Sequence, residues 1–177
     1  PNNRGFDEFY GFTSGHWGNY FDPILEKNGK IIKTKGYIND VITNEAISFI
    51  KRSNKPFLSF ISYNTPHSPM QVPDKFFDDK DILLRGRYSE RENIEKTKAA
   101  MGMIENIDEN IGNVIRSLKE KGAYENTIII FFSDNGPNGN RWNNDLKDRK
   151  GSTNEGGVRV PFFIQWPKNI KKGLKIK

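Results

Sequence analysis

Thr127-Ile-Ile-Ile-Phe-Phe-Ser-Asp-Asn-Gly-Pro137 is the stretch on which the reading of this chain turns. Residues 127–132 are an unbroken run of β-branched and aromatic side chains without a charge. So short and apolar a run predicts a strand covered on both faces, as in the middle of a parallel sheet. Ser133-Asp-Asn-Gly-Pro137 then breaks it with a turn. Ligands of open α/β sheets sit just past the carboxyl ends of the strands. Asp134 and Asn135 offer a carboxylate and an amide carbonyl there, both hard oxygens suited to calcium or magnesium. The same Asp-Asn-Gly is also, by itself, a good turn.

Outward from this strand the pattern repeats. Upstream, Ile94, Met101, Ile104, Ile107, Ile111, Val114, Ile115 and Leu118 mark the apolar stripe of a helix from about residue 91 to 121, with Gly122 as its stop. Before it, Phe57-Leu-Ser-Phe-Ile-Ser62 reads as another strand, followed by the loop Tyr63-Asn-Thr-Pro-His-Ser-Pro69; residues 71–90 read as irregular and charged. Ile38, Val41, Ile42, Ala46, Phe49 and Ile50 predict an amphipathic helix over 38–52, ended by Asn54 and Pro56. Asn28-Gly29 predicts a type I′ hairpin within Ile24–Lys33. Residues 4–23 carry seven aromatics among glycines, which fits an ordered irregular segment better than a linker. Downstream, an Asn/Gly-rich loop over 134–157 leads to a last strand, Val160–Trp166. Strands alternating with helices predict an α/β sheet with parallel neighbours and no internal domain boundary.

Composition narrows the partners. Lys and Arg exceed Asp and Glu by 28 to 22, for a net charge of +6, but the charges are scattered and only Lys168–Lys177 is densely basic. No basic stripe is interleaved with aromatics, which argues against nucleic acid. The chain has no cysteine, so disulfides are excluded, and no apolar run of membrane-spanning length.

Three polar loops then stand out: His67 after one strand, Asp134 and Asn135 after the next, and Lys150 before the last. Parallel strands would bring them to one sheet edge, where a cation beside a His and a Lys suits an anionic oxyester. Each alone has a plainer reading, His67 as a rigid loop filler between prolines and Lys150 as one of many solvated lysines.

Together, Gly5-Phe-Asp-Glu-Phe-Tyr-Gly11, Pro66-His67-Ser-Pro69, Phe132-Ser-Asp-Asn-Gly-Pro137 and Lys150-Gly-Ser-Thr-Asn-Glu-Gly-Gly-Val-Arg-Val-Pro161 resemble the sulfatase family of the alkaline-phosphatase superfamily. The resemblance runs from residue 5 to 161 and implies an alkaline-phosphatase-like, mostly parallel α/β sheet flanked by helices. It implies residues 1–177 as the central part of a catalytic domain that hydrolyses sulfate esters, on a sulfated small molecule or polysaccharide. Asp134 and Asn135 would be ligands of one calcium ion, while His67 and Lys150 would hold the sulfate and its bridging oxygen. His16 would contact sugar through its imidazole, with stacking from Trp17 or Tyr20, or else simply pack in its loop. Glu155-Gly-Gly157 and Arg159 would fix the turn into the last strand. A secreted, periplasmic or lysosomal location follows from the same resemblance.

The departures are as specific. Members of the family carry a formylglycine made from the Cys or Ser of a Cys/Ser-x-Pro-x-Arg motif. No such motif occurs here, and Ser68-Pro69 lacks the spacing. The paired aspartates of the family's first strand and its Gly-Lys-Trp-His-like segment are absent too. The expectation is therefore a segment that supplies half a site and is inactive alone. A phosphoesterase of the same superfamily and a non-catalytic sulfatase-like binding module are the rival readings.

Overall fold

The computed structural model describes residues 1–15, 18–77, 91 and 93–176. They fall into two compact units, one of Pro1–Lys80 with Lys98–Lys121, the other of Asp81–Thr97 with Gly122–Lys177.

In the first unit the hairpin forms as its turn residues dictate. β1 (Tyr10–Gly11), β2 (Ile24–Lys27) and β3 (Lys30–Lys33) make an antiparallel three-stranded sheet in that order. Asn28 and Gly29 between β2 and β3 both have positive φ, 48° and 82°, as a type I′ turn requires. The helix read from the 38–52 periodicity spans Ile38–Arg52 (α1). Asp40 in its first turn and Lys51 and Arg52 in its last complement the helix dipole. Tyr20, Leu25, Tyr37, Ile38, Ile42 and Met103 form the core of this unit.

The second helix, α2, spans Ile94–Glu120 and stops before Gly122, whose φ is 73°. Its buried face differs from the stripe expected. Ile107 and Leu118 are buried, but Ile94, Met101 and Ile104 are exposed, and Asn106, Asn110, Gly102 and Met103 are inside instead. Two contacts account for this. Gly102 lies so near the backbone of Phe76 that a Cβ would stand 2.3 Å from the Phe76 carbonyl oxygen. The amides are buried because α1 supplies partners: Asn39 Nδ2 donates to Asn106 Oδ1 at 2.9 Å, and Nδ2 of both Asn106 and Asn110 donates to Asp40 Oδ1 at 2.8 Å.

The segment expected as a strand over 57–62 enters no ladder among the described residues. It keeps the two-residue alternation of a strand, with Phe57 and Ile61 partly covered and Leu58 and Phe60 74% and 69% exposed. Apolar alternation prepares a chain for a sheet, but the ladder needs a neighbour to donate to.

In the second unit β4 (Ile129–Phe132) pairs with β5 (Phe162–Gln165). The pairing is antiparallel, with Phe131 opposite Phe163 and Phe132 opposite Phe162; every ladder between described strands runs antiparallel. The link from β4 to β5 contains one helical turn, α3 (Glu155–Val158), rather than the long crossover that parallel neighbours need. The two-sided cover expected for residues 127–132 is also absent among the described residues. Ile129 and Phe131 are half-buried, whereas Ile130 and Phe132 are 50% and 53% exposed.

Candidate functional site

His67 sits in a loop that the first unit holds from beneath. The buried Tyr20 hydroxyl donates to the His67 carbonyl at 2.8 Å, with the Asn64 and Ser68 carbonyls at 3.4 Å. Tyr37 donates to the Gln71 carbonyl at 2.8 Å, and Asn39 Nδ2 to Thr65 Oγ1 at 2.8 Å. The start of α1 and the segment before it thus grip the loop on both sides of the histidine. The imidazole itself is half-buried, and its Nδ1 lies 2.9 Å from the Ser68 carbonyl oxygen. A carbonyl only accepts, so Nδ1 carries a proton, and the proton chemistry of the ring falls to Nε2.

Burial shapes the phenols around this loop. Desolvation pushes Tyr20 up to about 12, and it raises Tyr37 and Tyr63 as well, with lesser contributions to Tyr37 from Tyr20 and Asp40. All three stay neutral and able to donate at ordinary pH. At the surface, Asp22 is held below the usual carboxylate range by the Gly36 N–H, which donates to its Oδ1 at 2.7 Å, and then by Lys35.

In the second unit the structure brings Asp134, Asn135 and Lys150 into one knot of chain. Gly136 N donates to the Gly157 carbonyl at 2.9 Å, Lys150 N to the Pro137 carbonyl at 3.0 Å, and Gly156 N to the Lys147 carbonyl at 2.8 Å. Side chains are excluded where these segments touch. A Cβ on Gly136 would lie 1.9 Å from the Gly156 carbonyl oxygen, and one on Gly156 would lie 2.0 Å from the Asp148 carbonyl oxygen. The loop between uses polar residues for its tight bends: Asn144, Asp145 and Asp148 have φ of 62°, 54° and 60°. The Asp148 carboxylate also accepts from Asn154 Nδ2 and Ser152 Oγ, which fixes the entry to α3. Arg159 pairs with Glu155 at 3.4 Å on the surface.

The donor set suits an oxygen-preferring cation. Asn135 donates its Nδ2 to the Gly136 carbonyl at 2.9 Å, which leaves Oδ1 as the atom it can offer a metal. The Asp134 carboxylate at the same strand end is exposed and makes no hydrogen bond or ion pair with a described residue. Calcium takes about six to eight oxygens, so these two are a partial set. Among the described residues no group of three or more His, Cys, Asp or Glu could hold a metal. Lys150 is exposed in the neighbouring bend. His67 belongs to the first unit and is described with it, and His16 lies outside the described residues.

Tyr20, read from the sequence as a stacking face for sugar, is instead completely buried with its hydroxyl on the His67 loop, and Asn39 was given no role by the sequence. Tyr20 is one aromatic among many in its segment, and an Asn on an otherwise apolar helix face carries no hydropathy signal.

Comparison with known proteins identifies the family. The sequence profile described as Sulfatase matches residues 1–177. The chain is 33% identical over 181 residues to the uncharacterized sulfatase YdeN of Escherichia coli K12, covering 98% of this chain and 30% of that protein. It is 33% identical to an arylsulfatase of Clostridium perfringens, covering 92% of this chain and 40% of the relative. The solved structure of Ps i-CgsB in complex with k-i-k-neocarrahexaose superposes with a TM-score of 0.82 at 34% identity, over 95% of this chain and 41% of that one. This chain therefore spans 30–41% of the length of these three relatives, as a partial α/β fold of the alkaline-phosphatase-like kind. On the match of its whole length, the chain belongs to the sulfatase family.

Proposed function

We propose that residues 1–177 act as the central part of the catalytic domain of a longer sulfatase, hydrolysing sulfate esters on a glycan. The observation that carries this reading is the knot in which Asp134, Asn135 and Lys150 are fixed by backbone hydrogen bonds across Gly136–Gly157 and Pro137–Lys150. It supports the reading by joining the loop after β4, which carries Asp134 and Asn135, to the bend that carries Lys150.

Cleavage of the S–O bond leaves negative charge on the departing oxygen. A protonated His67 Nε2 donates its proton to that oxygen, and the Lys150 ammonium balances charge on the sulfate oxygens. A calcium ion held by Asp134 Oδ and Asn135 Oδ1, with further ligands from outside this chain, would polarise the sulfate. The nucleophile, formylglycine in this family, also comes from outside these residues, because they contain no Cys and no Ser-x-Pro-x-Arg. His16 lies in the aromatic segment suited to stacking on sugar and would serve the glycan. The solved complex of a 34%-identical relative with k-i-k-neocarrahexaose supports a carbohydrate substrate. No described helix is long and apolar enough to cross a membrane.

The test is His67→Ala in the full-length enzyme, assayed on a nitrophenyl sulfate and on an alkyl or glycosyl sulfate. The poor leaving group needs the proton and should lose about 100-fold or more in kcat, the activated ester far less. Equal losses would show that His67 only binds sulfate.

A further inference from the structure

Tyr20 is completely buried, yet its one polar atom is spent entirely on the loop that carries His67. Its ring packs edge-on against Tyr37, with centroids 6.2 Å apart, and its carbonyl accepts from Ile38 N at 2.8 Å, tying it to the first residue of α1. From that fixed base the hydroxyl reaches the His67 carbonyl at 2.8 Å and stands 3.4 Å from the carbonyls of Asn64 and Ser68. Two of these three carbonyls are themselves used by the histidine. The His67 amide donates to the Asn64 carbonyl at 3.2 Å, and its Nδ1 lies 2.9 Å from the Ser68 carbonyl.

We infer that Tyr20 is a positioning residue for His67: its hydroxyl fixes the peptide planes that set both the direction of the imidazole and the tautomer with the proton on Nδ1. The inference rests on the proposal that His67 serves the leaving oxygen. A phenol donates a single hydrogen, so it cannot satisfy three carbonyls at once. It favours the His67 carbonyl and keeps the other two turned toward it by its dipole. Without it, the Ser68 carbonyl is freer to rotate away from Nδ1. Then the ring loses the partner that commits Nε2 to the substrate side. The phenol's raised proton affinity keeps this donor intact across the working pH range. The Tyr20 hydroxyl hydrogen-bonds within the loop that carries His67, so its loss should injure proton delivery rather than KM.

The experiment compares Tyr20→Phe with the parent in the full-length enzyme, on a nitrophenyl sulfate and on an alkyl sulfate. The expected result is a roughly tenfold loss of kcat on the alkyl sulfate, little change on the nitrophenyl ester, and unaltered KM on both. In a His67→Ala background, Tyr20→Phe should add nothing further. Losses that are equal on both esters, or that add in full to those of His67→Ala, would overturn the inference while leaving the role of His67 standing. Equal losses from His67→Ala alone would instead remove the reading beneath it. If Tyr20→Phe does not fold, 4-aminophenylalanine and 4-fluorophenylalanine at position 20 replace it, since both fill the volume and only the first donates. Retained preference with the amine and its loss with the fluoride supports the clamp, and identical behaviour of the two refutes it.

Discussion

Gly136→Ala offers a test of the loop crossing by adding a single methyl group. Gly136 is buried and its φ is not left-handed, so alanine is acceptable to the backbone and only the neighbours object. The new Cβ would stand 1.9 Å from the Gly156 carbonyl oxygen and 2.9 Å from its carbon, where real Cβ atoms stay beyond 3.0 Å. The obstacle is backbone, so it cannot rotate aside as a side chain would. The two segments must part by roughly 1 Å, which stretches the 2.9 Å bond from Gly136 N to the Gly157 carbonyl past hydrogen-bonding range. Overpacking of this kind costs about 1–3 kcal/mol and the lost bond about 1 more, for a total of roughly 2–4 kcal/mol. Gly112 is the control: it lies mid-way along α2 in open space, and Gly112→Ala should stabilise by about 0.5–1 kcal/mol. Urea titration of both variants in the full-length enzyme, read by circular dichroism and activity, gives the comparison. A Gly136→Ala midpoint that matches the parent would refute the close approach, and with it the claim that the crossing holds Asp134 and Lys150 in place.

Asp134→Ala in the intact protein should abolish turnover and lower calcium measured by elemental analysis; unchanged calcium would remove Asp134 from the ligand set. The 177 residues alone, purified and supplied with calcium, should show no aryl sulfatase activity beside the full-length enzyme, because they lack a formylglycine precursor; turnover that survives repurification would overturn the proposed mechanism. Alkaline stability should follow the buried phenols. Below about pH 10 they are protonated in folded and unfolded chains alike, and stability is intact. Between there and the value of about 12 for Tyr20, the unfolded chain sheds protons that the folded one keeps, so stability falls as pH rises. Phenolate absorbance that rises ahead of unfolding would contradict burial of Tyr20, Tyr37 and Tyr63.

Local rules made the first unit readable. Asn28-Gly29 left the chain one good hairpin turn, and the 38–52 periodicity returned α1 to the residue, because both signals are complete within a few neighbours. The sulfatase motifs were readable for a similar reason: each is a contiguous run. What the sequence withheld depended on distant partners. An apolar run at 127–132 says that a strand wants cover, not what covers it, and the structure leaves Ile130 and Phe132 half bare. Hydropathy ranked Met101 and Ile104 above Asn106 and Asn110 on α2, and the order reversed because Asp40 and Asn39 wait on the facing helix. Burial followed hydrogen-bonding opportunity there, which one helix cannot reveal by itself.

The amide cluster between α1 and α2 also has a consequence for alignment. Two greasy helices can slide past each other by one turn, about 5.4 Å, and find nearly the same comfort in each position. These two cannot, since a slip would strand Asn39, Asn106 and Asn110 in the interior with nothing to bind. The cluster indexes the helices like teeth on a rack, at some cost in stability compared with leucines in the same places. Thr65 hangs from the same rack through Asn39, so the loop bearing His67 is indexed with it. Replacing Asn39, Asp40, Asn106 and Asn110 together by leucines should therefore free the helices to slip, leaving the histidine without one address.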